Sequence, residues 1–126
     1  MLRCVLPVLV GLSLAVPALA QNARPFPATA LRGAMVVTQP PEIVLNGQPA
    51  RLSPGARIRG ENNLLLMSGA LVGHKLLVHY TLEANGLVHE VWILTADEQA
   101  RQPWPTTPAE AQRWSFDATA QAWTRR

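Results

Sequence analysis

Hydrophobic and polar positions alternate in several short stretches of this chain, and residues typical of turns separate the stretches. Alternation with a period of two predicts half-buried strands, and no long stretch repeats with the period of a helix. The two longest predicted strands are 75–83 and 87–94. Shorter strands are predicted at 31–38, 42–45, 48–52 and 56–59. This spacing indicates a mainly β domain, either a small barrel or a sandwich.

Two Asn-Gly pairs mark the sharpest predicted turns. Asn46-Gly47 follows the strand at 42–45, and Asn85-Gly86 lies between the two longest strands. Both central residues of a type I′ turn need positive φ, so each pair predicts a hairpin. A further turn is predicted at Ser53-Pro54-Gly55, and a short apolar run follows at 64–67.

The region 95–126, which we call the extension, has a different pattern. Thr95 and Glu98 have the spacing of a capping box, and Thr107 is followed by Pro108 at a first helical position. The predicted elements are helices at 96–101 and 108–113 and a terminal hairpin of strands at 114–116 and 122–124. We therefore expect a barrel over 31–94 with a helix-plus-hairpin extension packed on it.

Residues 1–20 have the three parts of a secretory signal peptide: a basic start, an apolar stretch and the small-x-small motif Ala18-Leu19-Ala20. The apolar stretch is shorter than the roughly 20 residues needed to span a bilayer, so we expect no membrane span after cleavage. The alternative is an uncleaved N-terminal anchor. We expect cleavage after Ala20, a periplasmic location and a flexible lead-in over 21–30.

Composition narrows the chemistry of the mature domain. The chain has 126 residues, enough for one small core, and its only cysteine, Cys4, leaves with the leader. A domain without cysteine has no disulfide, no thiolate nucleophile and no cysteine-ligated metal. The formal charge of +3 falls to +2 with the loss of Arg3, which is a weak field for attracting nucleic acid.

Between Gly33 and Leu94 the order of turn and strand residues is distinctive. It contains I-V-L-N-G-Q-P-A, then A-R-I-R-G, then A-L-V-G-H-K-L-L-V-H-Y, and then N-G-L-V-H-E-V-W-I. This order resembles small secreted bacterial domains of unknown function with an OB-like β-barrel. The resemblance covers about half of the chain and rests on turn and packing residues. It implies a small OB-like or SH3-like barrel and implies no activity.

His79 and Glu90 are the main candidates for chemistry. The hairpin pattern places both on one face with Val88 and Trp92, whereas His89 points to the other face unless a bulge intervenes. One interpretation makes them a small-ligand or metal site, or a general base with its carboxylate. The alternative, which we favour, is a solvated cross-strand pair. No nucleophile, phosphate-binding loop or metal-ligand spacing accompanies them, so we predict no enzymatic activity, cofactor or metal.

Arg57 and Arg59 are candidates for a binding surface on the barrel. They belong to a set of basic residues in the predicted strands that also includes Arg32, Arg51 and Lys75. OB-like barrels often bind oligonucleotides or oligosaccharides on one face, so an anionic polymer is a possible ligand class. Aromatic residues for base stacking are almost absent from 33–63, so nucleic acid is not the expected partner.

Trp92 would be exposed on a bare barrel. The extension carries large aromatic side chains that can cover it, namely Trp104, Trp114, Phe116 and Trp123. We predict that the extension folds over Trp92 and that the protein is a monomer; the alternative is an aromatic platform for a partner. The function expected from the sequence is a non-catalytic binding or accessory module whose partner is a protein or a small ligand of unknown identity.

Overall fold

The computed structural model describes residues 24–126, so the predicted signal peptide and its cleavage point lie outside the described residues. Within this part of the chain, eight strands and two α-helices follow in order: β1 (Leu31–Gln39), β2 (Glu42–Leu45), β3 (Gln48–Arg59), β4 (Leu65–Leu66), β5 (Lys75–Leu82), β6 (Val88–Ile93), α1 (Ala96–Gln99), α2 (Pro108–Arg113), β7 (Ser115–Asp117) and β8 (Ala122–Thr124). A single 3₁₀ turn, Ser68–Leu71, precedes β5.

The first six strands form one sheet that closes on itself. Its order is β2-β1-β5-β6-β3-β4, and an additional pairing of β2 with β3 completes a ring of five strands with β4 at its side. The pairing of β3 with β6 is parallel, and the other pairings of the ring are antiparallel. The predicted mainly β, barrel-like fold with two short helices is therefore confirmed.

Alternating side chains of the ring fill its interior. Met35 and Val37 from β1, Val78 from β5 and Val91 from β6 are completely buried there. The buried residues of this barrel core are Leu31, Met35, Val37, Ile43, Leu45, Leu52, Ile58, Val78, Tyr80, Val88 and Val91. Removal of this apolar surface from water is the main stabilising contribution to the ring.

The Asn46-Gly47 turn has the predicted geometry, and the Asn85-Gly86 turn differs from it. Asn46 and Gly47 both have positive φ, 53° and 77°, as a type I′ turn requires. In the second loop only the glycine has positive φ, 85°. The Gly86 N–H donates to the carbonyl of Glu83 at 2.9 Å, which closes a β-turn. The two central residues of this turn, Ala84 and Asn85, do not have positive φ. Gly86 then supplies the left-handed residue that returns the chain to β6.

The turn predicted at Ser53-Pro54-Gly55 is wrong, because β3 runs without interruption through these residues. The first part of β3 pairs with β2, and the part from Arg57 onward pairs with β4 and β6. The register against β6 shifts between Leu52 and Arg57. Pro54 has no N–H to donate and lies in this irregular stretch, where the strand changes its partners.

A bulge separates the two ends of the β5–β6 pairing. Tyr80 is opposite Val91, but Leu82 is opposite Val88, so two residues of β6 face Thr81 alone. The predicted common face of His79 and Trp92 is confirmed by their direct pairing. The prediction for Val88 is wrong: the bulge turns its side chain into the barrel core.

The lead-in and the extension form a second layer on the outside of the barrel. From Arg24 onward the expected flexible lead-in is instead packed, since Arg24, Phe26 and Ala30 are all buried. The buried members of this outer cluster are Phe26, Ala30, Trp92, Leu94, Trp104 and Trp123, with Trp114 and Phe116 packed against them. Trp92 thus lies beneath aromatic side chains of the extension, and the lead-in supplies Phe26 as a further one.

The capping residues begin both helices where the sequence predicts. Thr95 accepts a hydrogen bond from the Glu98 N–H, and the Glu98 carboxylate accepts one from the Thr95 N–H, which completes the capping box. Thr107 caps α2, and Pro108 occupies its first turn. The first helix is shorter than predicted and ends at Gln99.

Candidate functional site

His79 lies at the centre of the outer cluster with only 1% of its surface exposed. Its ring stacks on Trp104 with 4.1 Å between ring centroids, and the ring of Phe26 meets it edge-on at 4.4 Å. The sequence placed this histidine on the outer face of the barrel, and the outer layer covers that face. The interpretation of His79 as a solvated residue is therefore wrong.

Arg32 holds His79 in its neutral form. The Arg32 Nε–H donates to His79 Nε2 at 3.2 Å, which leaves Nδ1 to carry the ring proton. Burial lowers the pKa of His79 to about 2, and the charges of Arg32, Arg24 and Arg101 act in the same direction. A ring that is neutral, buried and already an acceptor does not work as a general base near neutral pH, nor does it offer Nε2 to a metal.

The other donors of Arg32 are bound to main-chain carbonyls at the end of α1. Its two terminal nitrogens donate to the carbonyl oxygens of Glu98 at 2.7 Å, Gln99 at 3.2 Å and Arg101 at 2.9 Å. Gln99 is the last residue of α1, and the last carbonyls of a helix lack a partner within the helix. Arg32 therefore ties β1 to the start of the extension, and burial lowers the pKa of its guanidinium.

Arg24 and Glu98 form a buried ion pair beside this group. Arg24 Nε donates to Glu98 Oε2 at 2.9 Å, and a terminal nitrogen of Arg24 bonds to the other carboxylate oxygen. Arg24 also donates to the carbonyls of Gly60 and Ile93, each at 2.8 Å. Burial acts to raise the pKa of Glu98, but the hydrogen bonds from Arg24 and Thr95 outweigh it and hold this pKa below its usual value.

Glu90 does not pair with His79. Its carboxylate lies 3.5 Å from Arg59 Nη1, and its main-chain N–H donates to the hydroxyl of Thr81 at 3.2 Å. Arg57 is opposite Glu90 in the parallel pairing, exposed, and not in an ion pair with any other described residue. His79 and Glu90 therefore do not form one site: His79 is bound to Arg32 in the buried outer cluster, and Glu90 pairs with Arg59 nearer the surface.

The basic residues of the strands do not form one cationic face. Arg32 is buried under the extension, Arg51 pairs with Glu42 at 3.0 Å, and Arg59 pairs with Glu90.

Within residues 24–126 no group of three or more His, Cys, Asp or Glu side chains is placed to hold a metal ion. In the same part of the chain, none of the helices has the length and apolar character to cross a membrane.

A run of exposed large apolar side chains lies at the side of the barrel. Leu64, Leu65, Leu66 and Met67 are consecutive and have exposed fractions of 64%, 64%, 39% and 79%; we call these four residues the apolar ridge. Two of them form β4, the last strand in the sheet order. The sequence showed this apolar run, but periodicity alone could not distinguish a buried strand from an exposed one.

A groove runs beside the apolar ridge. Its volume is about 290 Å³, and its walls include Pro40, Pro41, Leu52, Ser53, Pro54, Ala56, Ile58, Leu66, Met67 and Ser68. Strand β4 pairs with β3 on one side through Leu66 opposite Ile58, and no other described strand pairs with it. The ridge therefore combines apolar side chains, a groove and a free strand edge, which are the elements of a peptide-binding surface.

Comparisons of this chain with models of known protein families, with curated proteins and with solved structures give no match.

Proposed function

We propose that this protein is an exported, non-catalytic binding module with an OB-like barrel, and that the apolar ridge binds its partner. The observation that carries this proposal is the exposure of four consecutive large apolar side chains in an otherwise well-packed domain. Exposed apolar patches of this kind mark interaction surfaces, because leaving them in water is unfavourable. The closed ring of five strands with one parallel pair supports the OB-like assignment.

The partner that fits best is an extended apolar segment of another protein. The free edge of β4 can take main-chain hydrogen bonds from such a segment, and the groove can take its side chains. A stable dimer interface uses roughly 20–30 residues on each side, far more than the ridge offers, so a second copy fits less well. Arg57 is exposed on the neighbouring strand, so an acidic residue in the partner segment would complement it.

Site-specific photo-crosslinking in the producing cell tests the ridge. We expect a photoreactive phenylalanine analogue in place of Met67 to give a discrete heavier adduct, which Leu65→Lys in the same chain abolishes by placing a charge on the strand edge. The matched control places the analogue at Leu82, which is also exposed, at 41%, but lies outside the ridge. An adduct at twice the monomer mass would identify a second copy as the occupant, and the absence of any adduct at Met67 would refute the ridge as a binding surface.

Export is supported by the three-part pattern of residues 1–20 and by a mature sequence without cysteine. We expect the protein recovered from the periplasm to begin at Gln21, because Ala18 and Ala20 suit the small pockets of a signal peptidase. N-terminal sequencing of that fraction measures this directly. An intact Met1 in the membrane fraction would instead indicate an anchored protein.

A further inference from the structure

A second cavity lies between the extension and β1 and shares no lining residue with the apolar ridge. It has a volume of about 390 Å³ and is lined by Arg32, Gln102, Pro103, Trp104 and Arg125. Two of its five lining residues are arginines, and none is acidic. Its volume falls within the range of roughly 300–1,000 Å³ that is typical of small-molecule sites.

The charge of Arg32, in the wall of this cavity, has no carboxylate partner of its own. Only 8% of Arg32 is exposed, and its hydrogen bonds go to three main-chain carbonyls and to the neutral ring of His79. The nearby carboxylate of Glu98 is bound to Arg24. A buried cation without an anionic partner favours a site that supplies one.

Arg125 adds a second positive charge from the C-terminal end of the chain. Its guanidinium lies 5.2 Å from the centre of the Trp114 ring, and it is not in an ion pair with any described residue. Because Arg125 is exposed, its donors are accessible from solvent. The cavity thus has one buried and one accessible guanidinium.

Two buried donors line a neighbouring cavity. A neighbouring cavity of about 210 Å³ also contains Gln102 and Pro103 in its lining, together with Arg101 and Trp123. Arg101 Nη1 and Trp123 Nε1 are buried and have no hydrogen-bond acceptor among the described residues. Donors without an acceptor next to a cationic cavity suit a ligand that is rich in acceptors.

We propose that this cavity binds a small ligand through an oxyanion group, a carboxylate or a phosphate, held between Arg32 and Arg125. Arg125 can form paired hydrogen bonds with two oxygens of either anion, whereas Arg32 has one N–H, on a terminal nitrogen, that is not already bound and contributes mainly its charge. The carboxamide of Gln102 provides a further polar contact for the rest of the ligand. The site differs from the barrel-face arginines Arg57 and Arg59, and it does not depend on the apolar ridge.

Titration of the isotope-labelled protein with inorganic phosphate and with citrate, in separate series at constant ionic strength, tests the proposal. We expect saturable NMR shifts of the Gln102 main-chain amide and of the Trp104 indole N–H, which donates to the Ala30 carbonyl at 2.9 Å. The anion that binds more tightly identifies the headgroup as phosphate or carboxylate. Arg125→Gln should weaken the binding about tenfold, because it removes a charge-assisted contact.

Arg126→Gln is the matched control, since it removes the same charge from the adjacent residue, which does not line the cavity. We expect it to leave the binding of both anions nearly unchanged. Both substitutions are at exposed residues outside the core, so folding does not confound the comparison. Equal weakening by the two variants would indicate only a diffuse charge effect, and the absence of saturable shifts with both anions would refute the site.

Discussion

Glu98→Gln is expected to lower the free energy of unfolding by about 3–5 kcal/mol, because it leaves the buried guanidinium of Arg24 without its counter-charge. Glutamine keeps one oxygen that can accept from the Thr95 N–H, so the capping box can persist, while its amide NH2 replaces the oxygen that accepts from Arg24 Nε. Denaturant unfolding measures the change. Because Arg24 is also bonded to the carbonyls of Gly60 and Ile93, the loss should loosen the lead-in and the extension together.

Glu110→Gln is the control for this substitution, because Glu110 occupies the equivalent capping position of α2 but has no buried arginine partner. It should change the unfolding free energy much less. The double variant Arg24→Gln, Glu98→Gln should recover part of the loss, since it leaves no unpaired buried charge. If Glu98→Gln were as mild as Glu110→Gln, the ion pair would not stabilise the outer layer.

Acidification is expected to lower the free energy of unfolding substantially, because His79 is buried in its neutral form. In the unfolded chain this histidine takes up a proton near its ordinary pKa of 6.5, whereas burial holds the native pKa at about 2. Between these values the unfolded state binds the additional proton, so stability falls as the pH falls through this window. The slope approaches about 1.4 kcal/mol per pH unit below the unfolded pKa, which amounts to about 2 kcal/mol between pH 6.5 and pH 4.5.

His79→Gln separates this contribution from the others. Glutamine does not titrate, and its carbonyl oxygen can accept from Arg32 Nε, so the unfolding free energy of the variant should vary much less between pH 6.5 and pH 5. Glu98, whose native pKa is also depressed, contributes a loss in the same direction at lower pH. A steep slope that persists in His79→Gln would assign the acid sensitivity to other groups.

Local sequence signals predicted the features whose physics is local. Asn46-Gly47 forms the expected turn because positive φ is a property of those two residues. The caps at Thr95 and Thr107 form because each side chain bonds within its own first turn. The mainly β architecture was predicted from strand alternation and turn spacing, because both patterns can be recognised within short stretches of the sequence.

Features that depend on distant partners were not predictable. The bulge opposite Thr81 has no distinctive residue to mark it, yet it decides that Val88 enters the barrel core. The interpretation of His79 as part of a solvated pair was wrong because its partner, Arg32, is 47 residues away, and a strand pattern gives a face but not what covers that face. The exposure of the apolar ridge could not be predicted for the same reason. An apolar run favours burial, but the sequence does not show whether another part of the chain covers it.

The contact between Phe26 and Gln121 joins residues 95 positions apart, since the Gln121 side chain accepts from the Phe26 N–H at 2.9 Å and donates to its carbonyl at 3.3 Å. The barrel ring, by contrast, is built entirely from residues between Leu31 and Ile93. Closing so long a loop costs chain entropy before any contact offsets it. The ring can therefore assemble while the C-terminal segment is still emerging from the ribosome, and the outer layer, including the cavity lined by Arg32 and Arg125, is completed only after the last residues have arrived.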